Sequence, residues 1–77
     1  MKEEERIERL KNLARSPRAD AMRFMYPTAS GYFPTLRGRI IDGLRYDTRA
    51  EAVDYARAFR IRCRQELDKR GIEWRTG

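Results

Sequence analysis

Apolar residues in this chain follow two rhythms. Between residues 21 and 48 they tend to alternate with polar ones. Met22, Phe24 and Tyr26 flank Arg23 and Met25, and Leu44 and Tyr46 flank Arg45. Alternate side chains of an extended strand point to opposite faces, so this stretch predicts sheet. Outside it the spacing is three and four residues. Ile7, Leu10 and Leu13 form one stripe, and Ala52, Val53, Ala56, Phe59, Cys63 and Leu67 form a longer one. Those intervals predict amphipathic helices. The expected architecture is α+β: an N-terminal helix, a three-stranded antiparallel sheet, and a long C-terminal helix packed on one sheet face. It forms one small domain, 1–77, divided into 1–16 helix, 21–48 sheet, 49–70 long helix and 71–77 tail.

The helix ends are written in the residues. Glu3, Glu4 and Glu5 sit in the first turn of the first helix and Lys11 and Arg15 towards its end, both favourable to the helix dipole. Ser16-Pro17 stops it. Its narrow stripe predicts packing against the domain, a mobile arm or a self-association edge. Thr48-Arg49-Ala50-Glu51 has the capping-box pattern. At the far end, Gly71 followed by Ile72 predicts a left-handed stop with a hydrophobic contact back to Leu67. Trp74 is expected either to close the end of the core or to stand exposed as an anchor. Arg57, Arg60 and Arg64 are expected on a solvated mixed-charge face of the long helix.

Within the sheet, a first strand at 21–26 ends in the turn formers Pro27, Thr28, Ala29, Ser30 and Gly31. A second begins at Tyr32, where Pro34 predicts an irregular start or an edge position and Gly38 a bulge. Asp42-Gly43, between Ile40-Ile41 and Leu44-Arg45-Tyr46, is the strongest hairpin signal. Counting alternation through these strands sends Met22, Phe24 and Tyr26 inward. It places Tyr32, Pro34, Leu36 and Ile40 on one side and Phe33, Thr35, Arg37, Arg39 and Ile41 on the other. Arg23, Arg37, Arg39 and Arg45 would then share an exposed face with Phe33. This is the candidate binding site for a partner or for nucleic acid.

Charge gives that face a meaning. The chain has 18 basic and 12 acidic residues, a net +6, and all the basic residues except Lys2, Lys11 and Lys69 are arginine. A guanidinium grips phosphate or carboxylate with two parallel hydrogen bonds, which lysine does not do. An anionic partner, or simple solubility, is implied. There is no histidine, so neither Ser/His nor Cys/His nucleophilic pairs exist. The one cysteine, Cys63, reads as an inert core thiol, and zinc sites of the usual kinds are out of reach. Asp42 and Asp47 have structural explanations, in a turn and at a helix entry. No phosphate-binding loop, dinucleotide fingerprint or calcium loop is present. The expectation is a non-enzymatic protein without cofactor or metal. No apolar run approaches the roughly 20 residues that cross a bilayer, and MKEEERIERL is unlike a signal peptide, so no membrane and a cytoplasmic location are expected.

Two resemblances sharpen this. The order strand, strand, strand, helix, with LRYDTRAEAVDYARAFR passing from the last strand into the helix, resembles the AP2 and integrase-arm DNA-binding fold over residues 21–60. That likeness implies duplex DNA held by Arg23, Arg37, Arg39 and Arg45. It lacks the sheet tryptophans of the plant members. Second, Gly31-Tyr32-Phe33, Leu36-Arg37-Gly38, Thr48, Glu51-Ala52, Ala56 and Cys63-Arg64-Gln65-Glu66-Leu67 resemble, in order and with a gap around 39–44, a segment of a phage anti-CRISPR protein of the type I-F inhibitors. This likeness implies a small inhibitor that binds a CRISPR-Cas surveillance complex and blocks DNA binding or nuclease recruitment by steric occlusion. With a +6 charge it would hold acidic protein or the guide RNA rather than mimic DNA. The functional expectation is therefore anti-CRISPR inhibition, with a DNA-binding module of a mobile element or a dimeric interaction protein as alternatives.

Overall fold

A computed structural model describes residues 2–25 and 30–75. Of the expected turn, Pro27, Thr28 and Ala29 lie outside the described residues, as do Tyr26 and, in the tail, Thr76 and Gly77. Ser30 and Gly31 are already in the second strand and not in a turn. The elements run α1 (Glu3–Ala14), β1 (Ala19–Met25), β2 (Ser30–Leu36), β3 (Arg39–Ile40) and α2 (Arg49–Lys69). The three strands form one antiparallel sheet in the order β1-β2-β3, with α2 against β1 and β2 on one face and α1 against α2. The two-helix layer continues past the end of the sheet, and the molecule measures 45 × 24 × 18 Å.

Both ends of α2 are closed by their own sequence. Thr48 is extended (φ −121°, ψ 151°), and its hydroxyl accepts from the Glu51 amide at 3.2 Å while donating to Glu51 Oε1 at 3.1 Å. This occupies one of the amides a helix start leaves free. At the C-terminus Gly71 takes a φ of 70°, its amide donates to Asp68 O at 3.1 Å, and the Ile72 amide donates to Leu67 O at 2.9 Å. These are the two bonds of a Schellman stop, and Ile72 packs with Leu67 as the spacing predicts.

The core has two parts. One lies between the helices: Ala14, Cys63, Leu67 and Trp74 are buried, with Leu10, Leu13, Phe59 and Ile72 against them. Leu10 and Leu13 of the α1 stripe pack here, so the helix lies against the domain. Trp74 closes this end, its indole donating to Asp68 Oδ1 at 2.9 Å and its carbonyl accepting from Arg15 Nε at 2.7 Å. Arginines of α2 also cross to α1. Arg64 Nε donates to Ala14 O at 2.9 Å and Arg60 donates to Ser16 O at 3.1 Å. The first satisfies a carbonyl that α1 leaves free at its C-terminus, and the second holds the chain just beyond the helix. Of the three arginines expected on a solvated face, only Arg57 is there, paired with Asp54. Arg60 and Arg64 are half-buried because the a priori exposed flank of α2 faces α1.

The other part of the core lies under the sheet. Ala52 and Ala56 of α2 are fully buried, as are Pro34 and Leu36 of β2. The register decides which side is covered. Arg23 stands opposite Tyr32, Met22 opposite Phe33 and Ala21 opposite Pro34. Opposed residues of an antiparallel pair share a face. Tyr32 is bridged to Tyr46, whose ring packs at 5.7 Å on Tyr55 of α2, so the face of Tyr32, Pro34, Leu36, Ala19 and Ala21 is the covered one. Met22 and Phe24 are on the open face, the reverse of the expectation.

The hairpin is also relocated. It turns at Arg37-Gly38, whose φ values of 55° and 75° are the paired positive angles of a type I′ turn, and not at Asp42-Gly43. Gly38 is a turn residue rather than a bulge. β2 is central, and it tolerates Pro34 because the missing donor faces β3 where the ladder stops. Ile41 donates to Pro34 O at 3.1 Å, but proline has no amide to reciprocate. Pairing resumes only at Tyr32 with Tyr46, two bonds of 2.9 Å, so Asp42, Gly43, Leu44 and Arg45 stand opposite Phe33 alone. The excursion is pinned by Asp42, which accepts from the Leu44 amide at 3.0 Å and from Tyr55 Oη at 2.8 Å.

Where pairing resumes the fit is close. A Cβ built on Gly31 would stand 2.5 Å from Arg45 Cγ and 2.9 Å from Tyr46 O. The arginine stem can move but the backbone oxygen cannot without breaking the Tyr32–Tyr46 bridge. Gly31→Ala is expected to destabilise the fold by about 1–3 kcal/mol, the usual range for overpacking. Urea unfolding checks it, and a variant as stable as the parent would show that the strand is not held there.

Candidate functional site

The five residues expected to share one binding face are separated by this register. Phe33 and Arg45 are on the open face. Arg23 stands opposite Tyr32, on the side α2 packs against, and remains exposed. Arg39 stands opposite Leu36, again on the α2 side, and Arg37 occupies the turn. For Arg37 and Arg39 the cause is the two-residue turn, since counting alternation straight through Arg37-Gly38 flips the face of Arg39 to Ile41. For Arg23 it is the β1–β2 register, which pairs it with Tyr32. The common arginine surface does not exist.

Two surfaces take its place. The first is the open sheet face, where Phe24 and Phe33 stack at 4.5 Å with an 18° tilt, beside Met22 and Ile40, which are 44% and 45% exposed. Among the described residues, no helix covers it. Arg45 borders this cluster with its stem along Gly31, but its guanidinium is engaged, donating to Ser30 O at 2.8 Å and paired with Asp47 at 3.3 Å. The sequence carried this cluster as alternation in Met22 and Phe24, read with the wrong side inward.

The second surface is a groove of about 890 Å³ between α1 and the β2–β3 hairpin, with Arg9 on one wall and Arg37 and Arg39 on the other. These three share with Arg6 and Arg23 the lack of a side-chain hydrogen bond or ion pair among the described residues, and differ in that from the arginines tied into the fold. Arg18, Arg49, Arg57, Arg70 and Arg75 pair with carboxylates, and Arg15, Arg60 and Arg64 hold carbonyls. The guanidinium groups of Arg9, Arg37 and Arg39 have no hydrogen bond or ion pair among the described residues. Arg37 also keeps a positive φ, unusual for a residue with a side chain. The groove brings two of the expected site residues, Arg37 and Arg39, together with Arg9, which the alternation of the sheet could not have indicated.

Electrostatics close one sheet edge. Asp20 of β1 accepts from the Ala21 amide at 2.8 Å, is bridged by Arg18 at 3.6 Å, and is held by Arg49. The Ala21 amide bond, followed by the two arginines, holds its carboxyl below its ordinary value of 3.8. The Tyr55 hydroxyl is moved the other way, raised first by its bond to Asp42 and then by burial. Burial likewise raises the Cys63 thiol, consistent with an inert core cysteine. Among the described residues no group of three or more acidic, cysteine or histidine side chains could hold a metal ion, and no helix is long and apolar enough to cross a membrane.

The lowered carboxyl at Asp20 has a sign. Its stabilisation is fully present above the unfolded value near 3.8 and disappears as pH falls through the lower folded value. Asp20→Asn keeps an acceptor for Ala21 and removes only the charge. The stability gap between parent and variant is expected to be constant above about pH 5 and to close below pH 4, read from urea midpoints across pH. A gap that persists unchanged at pH 2 would contradict the pairing. Compared with known protein families, curated proteins and solved structures, the chain matches none.

Proposed function

We propose that the chain is a non-enzymatic binding protein that works by steric occlusion, docking its open sheet face on a protein component of a type I CRISPR-Cas surveillance complex in the bacterial cytoplasm. The observation that carries this reading is the half-buried Phe24–Phe33 stack on the open face with the exposed Met22 and Ile40 around it. Partly accessible aromatic side chains with exposed methionine and isoleucine beside them, bordered by an arginine, have the composition of a protein interface core. The identity of the partner comes from the anti-CRISPR resemblance and from the +6 charge, which favours an acidic target.

Duplex DNA is the less favoured partner for the same face. A sheet that enters the major groove needs side chains that read base edges and neutralise phosphates. This face offers Arg45 alone, already tied to Ser30 and Asp47. The AP2 resemblance of residues 21–60 makes DNA binding the natural control.

Tagged protein is expected to co-purify with a type I surveillance complex, and Phe33→Ala to weaken that association at least tenfold, as loss of an interface anchor does. Circular dichroism confirms that the variant is folded. Failure of the parent to associate with any such complex, together with a gel shift on plain duplex whose affinity falls steeply with salt, would replace this reading with the DNA-binding one.

A further inference from the structure

We infer that the groove between α1 and β3 is a peptide-binding site that takes an extended acidic segment as a fourth strand, antiparallel to β3. The inference concerns a surface separate from the open face and does not depend on which complex is the partner.

The sheet has two edges, and they are treated differently. On β1 the Ala21 amide, which faces away from β2, is occupied by Asp20, and that carboxylate is locked by Arg18 and Arg49. A charged plug of this kind discourages a further strand. On β3 no such plug exists. Ile41 donates inward to Pro34 O, and in an antiparallel ladder neighbouring residues direct their backbone groups to opposite sides. The amide and carbonyl of Ile40 therefore face outward, and neither has a partner among the described residues. Arg39, Ile40 and Ile41 line the groove consecutively, so it runs along this edge with α1 as its far wall. An edge strand facing a helix across a groove is the arrangement in which peptides add by main-chain bonds, with side-chain pockets giving specificity.

Charge selects the sequence of the segment. A residue paired directly with Ile40 shares its face and extends the apolar surface of Ile40 and Phe33, so it is apolar. Its neighbours point to the side of Arg39, where the unpaired guanidinium groups of Arg9, Arg37 and Arg39 meet them, so they are acidic. Glu5 and Glu8 on the α1 wall oppose a long run of negative charge. They favour a few carboxylates on a peptide over a continuous phosphate backbone.

The probe is a fluorescein-labelled octapeptide of alternating glutamate and valine, read by anisotropy at low salt. Antiparallel addition uses the valine amides opposite Ile40. The peptide N-methylated at every glutamate is expected to bind, and the one N-methylated at every valine to bind at least tenfold more weakly. This comparison is made on the unaltered protein and is independent of any folding defect. Arg39→Glu is expected to weaken the competent peptide tenfold or more, and nitrogen-15 spectra should show the Ile40 amide shifting on binding. Equal affinity of the two methylated peptides, or no binding at millimolar peptide, overturns the proposal. So does tighter binding of octauridylate that Arg39→Glu abolishes, which would make the groove a nucleic-acid site.

Discussion

The absent amide of Pro34 governs the third strand. With the turn set at Arg37-Gly38, the returning chain pairs through Ile41 and then meets a residue that cannot reciprocate. The chain leaves the ladder for Asp42 to Arg45 and returns at Tyr46. That return places the Tyr46 ring against Tyr55, sets the start of α2, and leaves Arg45 on the open side over Gly31. Every statement about which side chains are exposed follows from it. The same break leaves β3 too short to need guarding along its whole length, yet with one residue, Ile40, presenting free backbone groups.

Helices were legible because their signals are local. The Thr48 cap, the Gly71-Ile72 stop and the apolar stripes depend on residues within one or two turns, and each appears where the spacing puts it. The α+β order and the packing of the long helix on one sheet face followed from the same signals. The sheet was legible only in outline. Asp42-Gly43 has the strongest turn preference in the chain, but the chain turns at Arg37-Gly38, where Leu36 pairs with Arg39. Arg37 is a poor candidate for positive φ on its own, and glycine next to it carries the turn. Tertiary pairing overrode local preference, and the misplaced turn reversed Arg39 to Ile41, while the β1–β2 register put Arg23 on the α2 side. These two shifts together dissolved the arginine face.

The arginines themselves divide by role in a way composition hides. A group of them acts inside the fold, tying α2 to the end of α1, closing the core around Trp74 and locking Asp20 on the β1 edge. Arg64 and Arg75 also lie over the Trp74 ring at 4.9 and 4.3 Å. For a chain of 77 residues with a thin core, long side chains that both cover apolar surface and satisfy carbonyls replace some of the burial a larger domain would have. Among the arginines left without a side-chain partner, Arg9, Arg37 and Arg39 are the ones that line the groove, with the apolar open face beside it. The proposed binding role rests on this combination.

Cross-strand nuclear Overhauser effects decide the central point. The account predicts contacts between the Tyr32 and Tyr46 amide protons, with Arg37 in the left-handed region by its intraresidue coupling and cross-peak pattern. Contacts between the Ile41 and Leu44 amides in their place would put the hairpin at Asp42-Gly43 and contradict the assignment of faces on which both surfaces rest.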